Sequence, residues 1–432
     1  MFDSLIRISN RILWVGIAAC WLAVPCHTQA IAPVITVDHG SNAAQQVSKP
    51  YVILVSLDGF RYDYAKKYGA EHLLALAAQG ASAPEGMLPS YPSITFPNHY
   101  TIVTGLYPEH HGIVGNDFYD PARKQSYGNG SVGGAIADGN WYGGTPLWVL
   151  AEQQGMRSAS FFWVGSDSDI QGVRPSYYLK YDRSFPNGKR VEQVLAWLHL
   201  PAEQRPHMIT LYFSDTDTAG HRYGPDSSQV ADAVHELDGE IGRLEDGIKE
   251  SKLPVDLIVV ADHGMASVKG AAIDLNEFGL NSSWFTTIVD TSLYPKSEAD
   301  AQKAYEAMHG KSDKFSVYRR AQVPAYLHFD SNSREGDPVI VPDGPYFITA
   351  DRGGSGRPPV GKHGFDATRM PEMKAIFVAA GPDIRPGVVL QPFENVNVYP
   401  LVAKILGLDI ANLKTGPIDG NLSVLEGMLQ TK

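Results

Sequence analysis

Four stretches of the chain are apolar without alternation: "YVILVSL" at 51–57, "MITLYF" at 208–213, "LIVVA" at 257–261 and "AIFVAA" at 375–380. A strand with one face in water alternates apolar and polar residues, whereas an unbroken run marks a strand covered on both faces, as in a parallel sheet. Each run leads into an acid: "SLDGF", "FSDTD", "VADHGM" and "AAGPD". Between the runs the period changes to that of a helix. It is clearest from about Ser227 to Lys252, where Val230, Val234, Leu237, Ile241, Leu244 and Ile248 recur three and four apart. The alternation predicts an α/β fold with a mostly parallel central sheet and helices on both faces, in which ligands bind outside the carboxyl ends of the strands.

The ends of the chain follow other rules. Arg7 and Arg11 precede the apolar run "ILWVGIAACWLAV", and "TQA" closes it at Ala30, the pattern of a secretory signal peptide over 1–30. The run is shorter than the roughly 20 residues a spanning helix needs, so no transmembrane segment is expected in the mature chain, which is placed in the periplasm or secreted. "IAAC" at Ile17 to Cys20 is a weaker match to a lipoprotein processing site. Residues 31–50 are polar and aperiodic and predict a flexible leader. Residues 51–432 are expected to be one domain, with an insertion within about 265–370 that includes the glycine-rich "DRGGSGRPP".

Composition changes the picture in two ways. Cys20 and Cys26 are the only cysteines, so the mature domain must stand without disulfides. The formal charge of −11 becomes one unit more negative once the signal segment is removed, which argues against long nucleic acids but not against small anions beside a metal.

The candidate chemistry lies at the strand ends and in loops: Asp58, Asp217 and His221 in "DTDTAGH", Asp262 and His263, and His363 in "GKHGF". Three aspartates and three histidines form a mixed oxygen and nitrogen set suited to zinc and less well to manganese. Any single strand-end carboxylate is as readily a helix cap. Asp262 and His263 are adjacent, so on an extended chain they point apart; both reach one metal only if the backbone turns, which Gly264 permits. Thr95, in "PSITFPNHYT", precedes a proline-marked helix start, where it is either an N-cap or a hydroxyl held at an anion-binding helix end. Ser90 and Ser93 read as turn residues. His99, His110 and His111 read as packing histidines or as supports for the site.

"SLDGFR", "TFPNHYTIVTGLYPEHHGIVGN", "DTDTAGHRYGP", "VVADHGM" and "GKHGFD", in this order and spacing, resemble the nucleotide pyrophosphatase/phosphodiesterase family of the alkaline phosphatase superfamily. The likeness covers nearly all of 51–410 and is to a bacterial, single-domain form. It implies an alkaline phosphatase-like fold and two zinc ions, one held by Asp58, Thr95, Asp262 and His263 and the other by Asp217, His221 and His363. Thr95 is then the nucleophile, and Asp217 is preferred over Asp215 because the family's aspartate lies four residues before the histidine. Asn116 is implied as a donor to a phosphate oxygen, and Phe96 and Tyr181 as the aromatics that sandwich a base. Ile94 stands where several animal members have lysine.

The expected function is hydrolysis of phosphodiester and pyrophosphate bonds of nucleotides, releasing nucleoside 5'-monophosphates through a phosphothreonine. The partners are then small nucleotides. Two alternatives remain at this point: a lysophospholipid or phosphocholine-ester phosphodiesterase of the same family, and a catalytically silent binding protein.

Overall fold

The four unbroken apolar runs lie side by side in the middle of a nine-stranded sheet in the computed structural model, which describes residues 33–128, 135–350 and 358–431. In chain order the strands are β1 (Ile35–Thr36), β2 (Tyr51–Leu57), β3 (Ala81–Ser82), β4 (Ser158–Phe161), β5 (Tyr177–Leu179), β6 (Met208–Phe213), β7 (Val255–Val260), β8 (Phe377–Ala380) and β9 (Val388–Val389). Across the sheet they run β1-β5-β4-β6-β2-β7-β8-β3-β9. The segment β5-β4-β6-β2-β7 is parallel throughout. Every residue of β2, β6 and β7 is buried. Each large aliphatic side chain there gives roughly 1.5–3 kcal/mol by leaving water, which is why these runs carry no polar face. Helices pack on both faces, giving an alkaline phosphatase-like α/β architecture.

Parallel strands share one carboxyl edge, so the residues after β2, β4, β5, β6 and β7 all emerge on the same side. The acid after β8 does not. β8 runs antiparallel to β7, and Asp383 therefore lies at the opposite edge, where its backbone N–H donates to Asp256 Oδ1 at 2.9 Å. Strand direction leaves no mark on an apolar run, so "AAGPD" looked like its three counterparts.

The leader also differs from expectation. Residues 33–50 are ordered: β1 pairs with β5, and Asn42 is buried, its side chain donating to the carbonyls of Ala202 and Arg205 and accepting from Arg157 N. Short β-branched residues at a sheet edge, followed by one amide that satisfies three backbone groups, tie it down. The expected signal segment with Cys20 and Cys26, and the "GGSG" run, lie outside the described residues. Among the described residues no helix is long and apolar enough to cross a membrane.

Residues 273–350 build a smaller core of their own, with Leu275, Leu293, Met308, Phe315, Val317 and Ile340 among its members. It contains antiparallel pairs at 285–289 with 292–295 and at 315–318 with 339–342, beside the helix Glu298–Met308. The excursion closes where Ala266–Ser267 pairs with Gly361–Lys362, and that closure returns the chain to the sheet just before His363.

The long helix Ser228–Ser251 begins at Ser227, whose hydroxyl accepts from Val230 N, and it holds its neighbour through one carboxylate. Asp238 is buried and accepts from the backbone N–H groups of His72 and Leu73, two open donors in the first turn of the helix Glu71–Gln79. Asp238→Ala strands both donors out of water and is expected to cost about 2–3 kcal/mol, read as a lower urea midpoint at unchanged m-value. An unchanged midpoint would refute the tie.

Candidate active site

Thr95 is the first residue of the helix Thr95–Thr104; the N-cap position is Ile94, whose side chain makes no capping bond. The capping role open to Thr95 in the sequence is therefore excluded. Its hydroxyl instead lies 3.3 Å from His263 Nε2, at the carboxyl edge of the sheet.

The expected metal ligands converge there. The turn after β2 carries Asp58, and the bend after β7 carries Asp262 and His263. The helix Asp215–Tyr223 presents Asp217 and His221 one turn apart on one face. His363 follows the closure of the excursion. His263 Nε2 is 3.0 Å from Asp262 Oδ2 and 3.7 Å from Asp58 Oδ1; His221 Nε2 is 3.2 Å from Asp217 Oδ1 and 3.0 Å from His363 Nε2. Two groups meet the spacing of a metal site, Asp217–His221–His363 and Asp58–Asp217–His263, and a third joins Asp58 and Asp262 to His99. Asp215 stands apart, accepting from Asn187 Nδ2 at 3.0 Å, so geometry also selects Asp217.

The role expected of Gly264 is corrected. The bend falls on Asp262, and Gly264 has no positive φ. It is glycine because of crowding: a Cβ there would lie 2.1 Å from the Glu372 carbonyl oxygen. Gly59 does need its freedom. It holds φ +68 while its backbone packs against Asp217, where a Cβ would come within 2.9 Å of the Asp217 Cα.

The tautomers follow from the backbone. His221, His263 and His363 each donate from Nδ1 to a carbonyl, of Gly361, Gly264 and Ser93 respectively, all at 2.9 Å. Nε2 of each therefore turns a lone pair toward the cluster. Two such lone pairs meet 3.0 Å apart between His221 and His363, an arrangement a shared cation would relieve. Asp58 Oδ1, Asp217 Oδ1 and Asp262 Oδ2 are buried and have no hydrogen-bond partner among the described residues. Burial, and then the charges of Asp262 and Asp217, push the Asp58 carboxyl well above its usual range. Burial opposes ionisation of Asp262 as well, but His263 and His99 outweigh it and hold that carboxyl well below its usual value. The donor set thus fits divalent metal in number, chemistry and orientation.

Several supports complete the site, and of these only His99 was open to that role in the sequence. Tyr212 donates from Oη to Asp58 Oδ2 at 2.6 Å, from a strand that reads only as apolar. His99 bridges the helix Thr95–Thr104 to the cluster. Its Nδ1 is 2.9 Å from Thr95 O and 3.3 Å from Asp262 Oδ2, and its Nε2 is 2.8 Å from Ser56 Oγ, so both ring nitrogens are engaged. Ser93 is more than a turn residue: its carbonyl orients His363 and its hydroxyl donates to Phe365 O at 2.7 Å.

Beside the cluster is a cavity of about 320 Å³ lined by Thr95, Phe96, Asn116, Phe162, Trp163, Tyr181 and the metal-facing residues. Phe162 and Tyr181 follow β4 and β5, and their rings meet edge to face at 5.3 Å. Phe162 holds φ +67, a costly conformation for an aromatic residue and one that aims its ring at this wall. Tyr181 is half exposed at the mouth. Asn116 Oδ1 accepts from Phe96 N at 2.8 Å, which leaves the amide NH₂ as the end that donates into the cavity.

A hydroxyl at a helix start, facing aspartates and histidines at the carboxyl edge of this sheet, defines an alkaline phosphatase-like hydrolase. Within that class the chain belongs to the type I phosphodiesterase / nucleotide pyrophosphatase family, whose model matches residues 52–366. It is 35% identical over 397 residues to ectonucleotide pyrophosphatase/phosphodiesterase family member 1 of Homo sapiens, covering 88% of this chain but only 42% of that relative. It is 33% identical over 429 residues to human family member 7, covering 94% and 89%. The solved murine ectonucleotide pyrophosphatase/phosphodiesterase 5 matches at TM-score 0.81 and 30% identity, over 88% of this chain and 100% of that one. The same murine protein has also been solved as an inactive threonine-to-alanine variant in complex with AMP.

Proposed function

We propose that this chain is a two-zinc phosphodiesterase that cleaves nucleotide diesters and pyrophosphates to nucleoside 5'-monophosphates. The observation that carries the reading is the position of the Thr95 hydroxyl, at the junction between the aspartate–histidine cluster and an aromatic-walled cavity. The murine relative supports it, since loss of a threonine accompanies inactivity there and AMP is the bound molecule.

Asp58, Asp262, His263 and Thr95 would hold one zinc, and Asp217, His221 and His363 the other. Zinc bound there supplies Lewis-acid charge that favours an ionised hydroxyl and stabilises phosphate oxygens. Thr95 Oγ1 attacks phosphorus, forming a phosphothreonine as the bond to the leaving oxygen breaks. Water then displaces the threonine and frees the monophosphate. Asn116 donates to a phosphate oxygen as its charge grows, which is worth most in the transition state. Phe96 and Tyr181 hold the base away from the reacting bond. An apolar run ahead of residue 31 supports secretion or periplasmic residence.

Stacking on an aromatic face contributes on the order of 1–3 kcal/mol per base. Because it acts on ground and transition states alike, Tyr181→Ala should raise KM for dinucleotides about ten- to a hundredfold with a smaller change in kcat. Hydrolysis of bis(p-nitrophenyl) phosphate, which has no base, should change less. Parallel losses on both substrates would show that Tyr181 only packs the loop.

A further inference from the structure

The aromatic wall of the catalytic cavity rests on a buried cation. Phe162, Leu179, Tyr181 and Tyr212 line the cavity, and behind them Arg190, on the helix Asn187–Leu198, is only 2% exposed. Its Nε and Nη2 donate to the carbonyl of Phe185 at 3.1 and 2.9 Å, and its Nη1 donates to the carbonyl of Tyr212 at 2.8 Å. Its Cζ lies over the rings of Phe162 and Phe213, 5.2 and 5.6 Å from their centroids. One side chain thus joins a helix, the loop after β5, the end of β6 and the residue after β4.

Burying a charge is unfavourable by several kcal/mol unless its hydrogen bonds are met. The other buried residues of this helix include Val191, Val194, Trp197 and Leu198, and a methionine beside them would fill the space without that cost. Packing alone therefore does not call for arginine. What arginine supplies is a planar fork of donors for two carbonyls and a flat cation for the face of a ring. Both carbonyls belong to segments that build the wall: Tyr212 lines the cavity, and Phe185 ends the loop that carries Tyr181. The Phe185 ring also stands edge to face with Phe162 at 5.9 Å. Phe162 needs this support, because its φ of +67 persists only where its neighbours over-determine it. Tyr181 is half exposed, and its ring meets Phe162 at 5.3 Å and Tyr212 at 6.1 Å, edge to face in both cases.

We propose that Arg190 is a positioning residue for the nucleoside: it fixes Phe162, and through Phe162 the ring of Tyr181, so that the stacking wall stands ready before a base arrives. A wall already in place needs less ordering on binding, and the gain appears in KM. Arg190 takes no part in the chemistry at phosphorus. This rests on the reading of Tyr181 as a base-stacking residue and adds the group that holds it there.

Arg190→Lys keeps the buried charge but replaces the planar fork with a single ammonium. It should raise KM for dinucleotides about tenfold, within what stacking on Tyr181 supplies, and change the kinetics on bis(p-nitrophenyl) phosphate much less. Tyr181→Ala removes the ring on which the effect depends, so adding Arg190→Lys to it should raise KM by less than about twofold more. Arg190→Met, which has no donor for either carbonyl, should show the same pattern at a lower Tm. Effects that multiply in the double variant would overturn the proposal. So would a fall in kcat on both substrates, which would place the effect at Asp58 through Tyr212. Failure of both single variants to fold, read from thermal melts, would assign Arg190 to the fold and overturn it as well. Those three outcomes leave the phosphodiesterase reading standing, whereas a Tyr181→Ala variant that slows both substrates alike would remove the stacking reading and this inference together.

Discussion

Thr95→Ala is expected to leave a folded protein whose turnover of a p-nitrophenyl nucleotide ester falls by on the order of a thousandfold or more. Folding should survive because the hydroxyl caps nothing and alanine is a better helix former than threonine. The change in stability should stay within about 1 kcal/mol. Thr95→Ser keeps a hydroxyl at the same atom and should retain a substantial part of the rate, losing mainly the restriction that the threonine methyl places on χ1. A structural role would give the opposite ranking, with both variants losing stability and neither losing turnover selectively. Thermal melts and single-turnover rates on the same preparations separate the cases, and an alanine variant as active as the parent would end the nucleophile assignment.

The second large effect concerns metal. Prolonged chelation should abolish turnover, and zinc should restore it. Binding to the folded chain alone stabilises by RT ln(1 + [L]/Kd), about 4 kcal/mol at a thousandfold excess over Kd, so zinc should raise Tm by several degrees. The buried carboxylates add a sharper test. Asp58 repels Asp262 and Asp217 without metal, so Asp58→Asn should melt higher than the stripped parent while showing a much smaller zinc-dependent rise. Asparagine keeps an oxygen for Tyr212 Oη, so that contact does not confuse the comparison. A stripped Asp58→Asn protein that melts below the stripped parent would contradict the repulsion.

The sequence made the parallel centre of the sheet legible because burial on both faces keeps β2, β6 and β7 largely apolar, with Ser56, Thr210 and Asp256 as exceptions, and that bias is visible in one dimension. It could not show that β8 is reversed, since pairing direction depends on backbone geometry that Phe377 and Val378 do not encode locally. The two-residue strands β1, β3 and β9 are too short for a period. Of the proposed metal ligands, Asp58, Asp262 and His263 stood out because Asp and His directly after apolar runs are uncommon company. Of their supports, His99 reads as either packing or support, whereas Tyr212 and Ser93 act through contacts across the fold and have ordinary structural uses in sequence. The ordered leader was missed for a similar reason, because its anchor is Asn42, a polar residue that earns no notice until its three backbone partners are in place.

The closure between Ala266–Ser267 and Gly361–Lys362 sets a boundary for inheritance as well as for folding. His263 and His363 flank the two ends of the excursion and stack 3.6 Å apart at its neck, so the proposed metal ligands all lie outside it, while Asp290 and Tyr346, in the wall of a cavity of about 420 Å³ that His221 and His363 also line, belong to the excursion. The proposed metal ligands and this part of the cavity wall therefore sit on separable stretches of chain. A graft that exchanges residues 268–360 between relatives should change that part of the cavity wall and leave the proposed metal ligands in place, read as an unchanged metal content.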